Sequence, residues 1–234
     1  MLTLSNVSFQ ADKHEIISDI SADFPDGSFT VITGPNGGGK STLARLIMGI
    51  EQPTSGAIYW NGADITKLSI SERSKLKIGY AFQQPPRFKG MSVKRLLSLA
   101  HGSELKHEEC CEYLSAVGLC ANDYLNRDVD QSLSGGEVKR IEIATLLARD
   151  LELAIFDEPE AGIDLWSFAK LVETFQQLHN NKKVSILLIS HQERIMKMAD
   201  EIVVIENGRI AKRGKREAIL PDLMHDFSTC EYKK

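Results

Sequence analysis

The sequence predicts an α/β fold with a mixed, largely parallel sheet, flanking helices, antiparallel hairpins and an inserted helical segment. Two observations predict it. Apolar, β-branched runs alternate with helical spacing towards both ends of the chain, and residues from about 92 to 149 show helical spacing without convincing strands. Strands that alternate with helices favour a parallel sheet with right-handed crossovers. The helical stretch interrupts this alternation, so we expect it to be an insertion.

The first half of the chain supplies four predicted strands. Residues 2–9 alternate apolar and polar positions, as a half-buried strand does. Residues 28–33 (SFTVIT) form a β-branched strand that leads into a glycine cluster, and apolar residues then recur at helical spacing. Residues 57–60 enter a tight Asn-Gly turn, and residues 77–82 form another short strand.

The second half repeats the alternation. Residues 151–156 and 184–189 are near-continuous apolar runs, typical of strands buried on both faces, and a helix over 165–178 separates them. A last hairpin turns at Asn-Gly, and the tail from about residue 217 predicts a peripheral helix with a frayed end. We therefore expect one domain of residues 1–234, with a core made of 1–84 and 150–234 and a helical subdomain at 85–149.

Composition excludes several classes of protein. Hydrophobic residues are 42% and charged residues 26% of 234, as in ordinary globular proteins, and the net charge of −4 gives no broad attraction to nucleic acid. The N-terminus lacks the features of a signal peptide, and no apolar run is long enough to span a bilayer. The cysteines form no C-x-x-C pair, so we expect reduced thiols in a cytoplasmic protein rather than a metal site: Cys110, Cys111, Cys120 and Cys230.

The glycine cluster fits the pattern G-x-x-x-x-G-K-[ST] between a strand and a helix. Glycines let backbone N–H groups turn inward around phosphates at a helix N-terminus. Because the cluster has the strand before it and the helix after it that the motif requires, a mere glycine turn is the less favoured alternative. Lys40 can then reach the β and γ phosphates, and the Ser41 hydroxyl can bind Mg²⁺. The sequence thus predicts a P-loop NTPase core that binds ATP through Gly34, Pro35, Asn36, Gly37, Gly38, Gly39, Lys40, Ser41 and Thr42.

Two further motifs are directed at phosphate. Asp157 and Glu158 follow a buried strand at the edge of the sheet where ligands bind, so Asp157 is expected to hold Mg²⁺ and Glu158 to polarise the attacking water. The alternative is that this pair caps the next helix. Ser134, Gly135 and Gly136 precede a helix, and they can act as a simple N-cap or as an anion-binding helix start that receives a γ-phosphate.

With these three motifs in this order, the chain resembles the nucleotide-binding domain of ABC ATPases over essentially its full length. Residues 34–41 resemble its Walker A motif, 133–137 its LSGGE signature and 156–158 its Walker B motif. The resemblance implies that Gln83 senses the metal and the attacking water, and that His191 contacts the γ-phosphate. By itself His191 would more readily be a structural histidine. Asp164 would belong to the loop at a dimer interface.

The resemblance also implies the mechanism. Two copies would form a head-to-tail homodimer in which residues 34–41 of one and Ser134, Gly135 and Gly136 of the other enclose each ATP. The catalytic residues would be Glu158, His191, Gln83 and Lys40, and the Mg²⁺ ligands would be Ser41, Gln83 and Asp157. One departure concerns the base: the family's adenine-stacking aromatic position holds Ala11 here, and Phe9 could substitute or face the core.

Three short stretches are similar to SufC, the ATPase of the SUF iron–sulfur cluster assembly system. They are the region around Ala11, residues 81–85 and residues 190–195, whereas the stretch 157–162 departs from the SufC pattern. This similarity implies a soluble scaffold partner of the SufB/SufD type, and the alternative is the ATP-binding subunit of an ABC transporter with a membrane permease. In either case the partner is expected to dock around residues 85–97, where Arg87 and Phe88 could be contacts or part of a plain loop.

Other classes fit less well. A P-loop kinase or GTPase has no use for residues 133–137, and no N-K-x-D base-recognition motif is present. A DNA-associated ABC ATPase would normally carry a long coiled-coil insertion, and the middle region here is too short. A non-hydrolysing paralogue would be expected to lose Glu158 or His191, and both are present.

Overall fold

The computed structural model describes residues 1–181 and 183–230, and it describes side chains up to residue 224. Its strands are β1 Leu2–Ala11, β2 His14–Phe24, β3 Phe29–Thr33, β4 Ser55–Trp60, β5 Ala63–Asp64, β6 Ile78–Ala81, β7 Phe88–Ser92, β8 Asp128–Val129, β9 Leu153–Asp157, β10 Ser185–Ile189, β11 Glu201–Glu206 and β12 Arg209–Lys215. Its helices are α1 Lys40–Met48, α2 Ile70–Lys75, α3 Val93–His101, α4 His107–Ala116, α5 Ala121–Tyr124, α6 Gly135–Leu147, α7 Leu165–Asn180, α8 Glu193–Met196 and α9 Arg216–Cys230.

A six-stranded sheet lies at the centre, in the order β12-β11-β3-β10-β9-β6. Its pairs are parallel except for β11 with β12, which form the predicted last hairpin. Every residue of β3, β9 and β10 is buried, as expected from their apolar runs. The α/β class with a largely parallel sheet is therefore confirmed.

The two faces of this sheet carry separate cores, because successive side chains of a strand point to opposite faces. On one face, residues such as Phe156 and Leu188 join the apolar side chains of the helical segment and of α7. On the other face, Ile155 and Leu187 pack with α1 and the antiparallel strands. The carboxyl ends of β3 and β9 lie at the same edge of the sheet, because β10 pairs in parallel with both, and the glycine loop follows β3 at this edge.

A second, antiparallel sheet has the order β2-β1-β4-β5. The sequence analysis did not predict β2, although Ile20, Ala22 and Phe24 alternate with polar residues along it. Two neighbouring apolar residues, Ile16 and Ile17, break this alternation. Asp19 also breaks it, because its backbone is left-handed (φ 53°) where the register between β2 and β1 shifts. An irregular strand of this kind lacks the regular period by which strands are recognised.

Helices α3 to α6 fill the middle of the chain, as the spacing predicts. Two short strands were missed, β7 and β8, which pair with each other so that Phe88 lies opposite Val129 and Ser92 opposite Asp128. Two residues are too few to show a period, so sequence alone could not reveal β8. The division into a core and an 85–149 subdomain stays a prediction.

The predicted C-terminal helix is present as α9, whereas the predicted frayed end at 231–234 lies outside the described residues. Within the described part of the chain, no helix combines the length and the apolar character that a membrane crossing requires. Cys110, Cys111 and Cys120 are free thiols, and the side chain of Cys230 lies outside the description.

Arg73, on α2, is fully buried and completes the end of α1, the helix that follows the glycine loop. Its guanidinium donates hydrogen bonds to the carbonyls of Leu46 (2.6 Å) and Ile47 (2.7 Å) in the last turn of α1, where the Leu46 carbonyl also accepts from the N–H of Gly49. It also donates to the carbonyls of Thr66 and Leu68. Burial lowers the pKa of Arg73 to about 10, so the side chain stays charged.

We predict that Arg73→Met lowers the free energy of unfolding by about 3 kcal/mol, because buried carbonyls lose their donors. Arg73→Lys should recover less than half, since one ammonium cannot reproduce the planar fork. Lys75→Met is the matched control: it lies exposed on the same helix and should change stability by no more than about 0.5 kcal/mol. Urea unfolding followed by circular dichroism measures all three, and equal effects of the two methionine variants would contradict this role.

Candidate functional site

The loop between β3 and α1 requires glycine at specific positions. Gly34 has φ 131°, and a Cβ there would collide with the backbone carbonyl of Ile205. Gly39, the N-cap of α1, has φ 105°, and a Cβ would meet the backbone oxygen of Ile16 at 3.0 Å. L-residues are strained in this left-handed region, and here they also lack space. The loop is therefore held in one tight shape against β2 and β11.

The N-terminus of α1 has no internal anion. Gly39 offers no side chain to cap the helix, and the first turn contains no acidic residue. The Lys40 ammonium instead donates hydrogen bonds to the loop carbonyls of Gly34 and Pro35, both at 2.9 Å. Burial lowers the pKa of Lys40, while Glu158 and Asp157 oppose that shift. A cation beside uncapped helix N–H groups suits a phosphate chain.

A cleft of about 450 Å³ opens at this loop. It is lined by Ile16, Asn36, Gly37, Gly39, Lys40, Ser41, Thr42, Gln83 and Glu158. The fold thus brings the predicted phosphate loop together with Gln83 and Glu158. Ser134, Gly135, Gly136 and Asp164, which were also predicted to bind the nucleotide, are not among the lining residues.

Asp157 lies at the end of β9 and is only 2% exposed. Its carboxylate accepts hydrogen bonds from the Ser41 hydroxyl at 2.9 Å and from the Tyr80 hydroxyl at 2.8 Å. Burial, with the Asp157 charge as the next cause, raises the pKa of Tyr80, which therefore stays a donor. Hydroxyl and carboxylate oxygens are ligands that Mg²⁺ prefers, and Mg²⁺ takes few from a protein because it also binds water and substrate phosphate. The residues present fit Mg²⁺.

Glu158 is held in an uncommon backbone conformation. Its φ is 45°, in the left-handed region, and its N–H donates to the carbonyl of Ile189 on the neighbouring strand β10. Its carboxylate accepts a hydrogen bond from the Gln83 side-chain amide at 2.8 Å. Strained backbone persists only where the surroundings fix it, and it is frequent at functional sites. The turn directs the carboxylate into the cleft.

His191 follows β10 and shares the electrostatic environment of the cleft. Burial lowers the pKa of its imidazole, the Lys40 charge lowers it further, and Glu158 acts in the opposite direction. The ring is therefore neutral at pH 7. Among the residues that the structure describes, none forms a hydrogen bond with its buried Nε2. An unpaired buried nitrogen is costly, so it indicates a group that binds there.

Glu160 connects the Asp157–Glu158 turn to the His191 segment, and the sequence analysis did not single it out as a site residue. It accepts hydrogen bonds from the Ser190 hydroxyl and from the backbone N–H of His191. Ser190 in turn accepts from the N–H of Gln192 at 2.9 Å. Burial raises the pKa of Glu160, consistent with its enclosed position. Its only sequence signal was its place two residues after Glu158.

Lys139 and Glu142, also missed, connect α6 to the cleft. The Lys139 ammonium, 1% exposed, donates to the backbone carbonyls of Phe82 and of Asp157 (3.2 Å). Glu142 accepts from the N–H of Phe82 at 2.9 Å and lies 3.9 Å from the Lys139 nitrogen. Their spacing of three residues places them on one helical face, but sequence alone does not show that this face is buried.

The start of α6 confirms the capping interpretation of Ser134. The Ser134 hydroxyl accepts from the N–H of Glu137, and the Glu137 carboxylate accepts from the N–H of Ser134, which makes a capping box. A hydrogen bond from Tyr124 is the main cause that lowers the pKa of Glu137 to about 2. A role towards a γ-phosphate is compatible with this cap and stays a prediction.

Asp164 is the N-cap of α7, because its carboxylate accepts from the N–H groups of Trp166 and Ser167, both at 3.0 Å. These hydrogen bonds lower the pKa of Asp164. The loop before it contacts the start of α6: a Cβ at Gly136 would meet the carbonyl of Gly162 at 2.7 Å. The predicted signature residues and the Asp164 loop are thus close to each other but outside the cleft.

The residues that line the cleft include no aromatic side chain. Phe9 is half-buried and packs against the core, so the core interpretation of Phe9 holds. Ile16 on β2 lines the cleft instead and was not foreseen, because the strand that carries it was missed. An aliphatic side chain there offers apolar contact but no ring stacking.

Comparisons with known proteins agree with this geometry. Residues 17–161 match the family described as ABC transporter. An uncharacterized ABC transporter ATP-binding protein of Methanocaldococcus jannaschii, MJ0035, is 36% identical over 100% of this chain and 96% of its own length. The sulfate/thiosulfate import ATP-binding protein CysA of Synechocystis is 34% identical over 93% of this chain, which spans 61% of CysA. The dimeric ATP-binding cassette MJ0796 with ADP and Pi shares the fold, with TM-score 0.82 and 22% identity over 92% of this chain and 99% of that one.

We predict that Glu142→Gln changes how stability depends on pH. Burial raises the pKa of Glu142 from 4.5 to about 7 in the folded protein, although the Phe82 N–H and Lys139 act in the opposite direction. Between these values the unfolded chain releases the proton and the folded chain keeps it, so wild-type stability is lost as pH rises from 4.5 to 7. The variant lacks this loss and retains an acceptor for Phe82.

Urea unfolding of both proteins at several pH values between 4.5 and 7 measures the difference. The variant should gain stability relative to wild type as pH rises, by up to about 3 kcal/mol over this range. Parallel stability curves would contradict a raised pKa. Glu112→Gln, on the surface of α4, is the control and should follow wild type.

Proposed function

The chain belongs to the ABC transporter family of ATP-binding proteins and is an ATPase, and we propose that two copies close around two ATP molecules to drive a membrane permease. The observation that carries the proposal is the division of the predicted site. The phosphate loop, Gln83 and Glu158 line one cleft, whereas Ser134 and Gly135 are exposed outside it. A second copy would complete the site from outside.

The nucleotide would be held by the positive charge of Lys40 and by backbone N–H groups. The N–H groups at the start of α1 would donate to the β and γ phosphates, and Lys40 would exchange its two loop carbonyls for phosphate oxygens. Ile16 would contact the base or ribose by apolar packing. Without a stacking ring, base selectivity would be weak relative to phosphate binding.

Mg²⁺, when bound, would neutralise charge on the β and γ phosphates and align them for displacement. Ser41, Asp157 and Gln83 would hold it. Tyr80 would fix the Asp157 carboxylate through its 2.8 Å hydrogen bond, so that the oxygen towards Ser41 keeps its direction. Hydrogen-bond partners that do not bind the metal themselves commonly orient metal ligands in this way.

Hydrolysis would need a positioned water. The Glu158 carboxylate would accept a hydrogen bond from that water, as it now accepts one from the Gln83 amide. The water oxygen would bond to the γ-phosphorus while one water proton passes to the Glu158 carboxylate and the bond to the bridging oxygen breaks, giving ADP and phosphate. Neutral His191, with its lowered pKa, would donate from Nε2 to a γ-phosphate oxygen, which would give that buried nitrogen a partner.

The partner surface would be a groove of about 500 Å³ beside the helical segment. Phe88 (39% exposed) and Leu99 (59%) lie at this groove, and Pro86 and Leu96 also line it. Arg87 forms hydrogen bonds within the chain: its guanidinium donates to the backbone carbonyls of Asp130 and Leu133 (2.9 Å). Of the two contacts expected here, Phe88 fits the role of a contact, and Arg87 instead connects this segment to the residue before Ser134.

The names of the similar proteins favour a membrane permease over a soluble scaffold as the partner. MJ0035 is named as an ABC transporter ATP-binding protein and CysA as an import ATP-binding protein. The SufC-like role, with a SufB/SufD-type scaffold, rests only on three short stretches of sequence and gains no support from these names. We therefore propose a transporter subunit that acts on the cytoplasmic side of a membrane.

We predict that Glu158→Gln traps an ATP-bound dimer, because phosphate binding is kept while the water loses its acceptor. Size-exclusion chromatography with light scattering should show about twice the monomer mass with ATP and Mg²⁺, and the monomer mass with ADP. ATP turnover should fall at least about a hundredfold. A monomer at saturating ATP would contradict the closed dimer, and full turnover would contradict the role of Glu158.

We also predict that Lys40→Ala and Ser134→Arg complement each other. Each variant by itself has a defect in both sites of its homodimer, whereas a mixed dimer contains one site with both motifs intact. Equimolar mixing should therefore restore up to about a quarter of wild-type ATP hydrolysis if the motifs act between subunits. The separately assayed variants are the control. Activity that stays at the sum of the two would contradict action between subunits.

The partner can be tested by affinity purification from the host cell, with and without detergent, followed by mass spectrometry. A polytopic membrane protein that co-purifies from solubilised membranes, and is lost in Leu99→Asp, is the expected result. A soluble partner that carries iron and sulfide would contradict the permease and restore the SufC-like interpretation. Ile70→Asp, which changes a 45% exposed apolar residue that does not line the groove, is the control and should retain the partner.

A further inference from the structure

We propose that Leu165 and Trp166 form an apolar contact with a second copy of this chain in the ATP-bound dimer. The proposal rests on the proposed function and adds a surface that the sequence motifs do not assign. It concerns the first turn of α7, immediately after Asp164.

The exposure of these two side chains is unusual. Trp166 is 85% exposed and Leu165 is 68% exposed, the two highest values among the large hydrophobic residues that the structure describes. The other tryptophan, Trp60, is 4% exposed within the core. A fully exposed tryptophan leaves about 150–250 Å² of mostly apolar surface in water, and tryptophan is enriched where protein surfaces meet.

The position of the pair is fixed. Asp164 caps α7 through the N–H groups of Trp166 and Ser167. The same helix buries Phe168, Leu171 and Phe175 in the core. Trp166 therefore projects from a rigid, capped helix start, which reduces the entropy that a contact would cost.

The surroundings point to a second copy as the occupant. The loop before Asp164 packs on the start of α6, where the carbonyl of Gly162 would lie 2.7 Å from a Cβ at Gly136. Ser134 and Gly135 are exposed on that helix start, and Cβ atoms added at Gly135 and Gly162 would meet nothing within 4 Å. The proposed dimer covers this helix start with the phosphate loop of the partner, and the Leu165–Trp166 pair is continuous with it through the Gly136–Gly162 contact.

Fluorescence quenching tests the contact without any change to the pair, because Trp60 is shielded and Trp166 is the accessible fluorophore. In Glu158→Gln protein, iodide quenching is measured with ADP and with ATP and Mg²⁺, and light scattering gives the mass of the same samples. We expect dimers with ATP and a quenching constant at least halved. A dimer with unchanged quenching would overturn this inference and leave the proposed function standing. A monomer with ATP would overturn both.

Substitution gives a second, independent measurement. Trp166→Ala and Leu165→Ala in the Glu158→Gln background should raise the Kd of the ATP-bound dimer, by at least about tenfold for Trp166→Ala. ATP binding to the monomer and the unfolding midpoint should stay near those of the parent, since neither side chain is buried. Ile70→Ala, an apolar residue 45% exposed on α2, is the matched control and should leave the dimer Kd unchanged. Equal Kd values for all three variants would overturn the inference.

Discussion

The buried carboxylate of Asp157 is the interaction on which the rest of the site depends. A charged group that is 2% exposed requires hydrogen-bond donors, and these come from different parts of the fold: the Ser41 hydroxyl from α1 and the Tyr80 hydroxyl from β6. The backbone carbonyl of the same residue accepts from Lys139 on α6. The end of β9 therefore holds the start of α1 against the sheet, and it also holds α6 against the sheet. Because the next residue, Glu158, turns into the left-handed region, its carboxylate is directed into the cleft.

A second pair of buried titratable residues, Lys139 and Glu142, connects this strand end to the helical segment. Both bind the backbone of Phe82, directly before the Gln83 side chain that contacts Glu158. Any movement of Gln83 towards a metal or water would displace a carbonyl and an amide that α6 holds through charged groups. Since α6 begins at the exposed Ser134–Gly135 turn, a change in the cleft can reach the surface that a second copy would contact. Burying these two polar groups costs stability, and their hydrogen bonds to the backbone of Phe82 offset only part of that cost.

In the proposed dimer, the separation between the cleft and the Ser134–Asp164 region would control ATP hydrolysis. In an isolated chain the phosphate loop, Gln83 and Glu158 line one cleft, and the exposed residues Ser134 and Gly135 are not part of its lining. Hydrolysis would then depend on a closed dimer, and the groove at Phe88 and Leu99 would let a partner influence that closure through Arg87. The Leu165–Trp166 surface would add apolar stabilisation to the closed state, where the other expected contacts are polar and bridged by nucleotide.

By itself, the sequence determined the elements with a strong local cause. The buried strands β3, β9 and β10 follow from unbroken apolar runs, and the phosphate loop follows from glycines at positions where any Cβ would collide or strain the backbone. Residues 34–41, Asp157 and Glu158 could be predicted because they follow buried strands whose ends share one edge of a sheet, whereas Gln83 was predicted only from the family resemblance. Only the tertiary structure decided what depends on long-range packing: the irregular strand β2 with Ile16, the burial of Arg73, Lys139 and Glu142, and the exposure of Trp166. From sequence alone, a charged residue on a helix is expected to be exposed to solvent. Its burial becomes tolerable only through hydrogen-bond donors and acceptors from residues distant in the chain, which the sequence does not show.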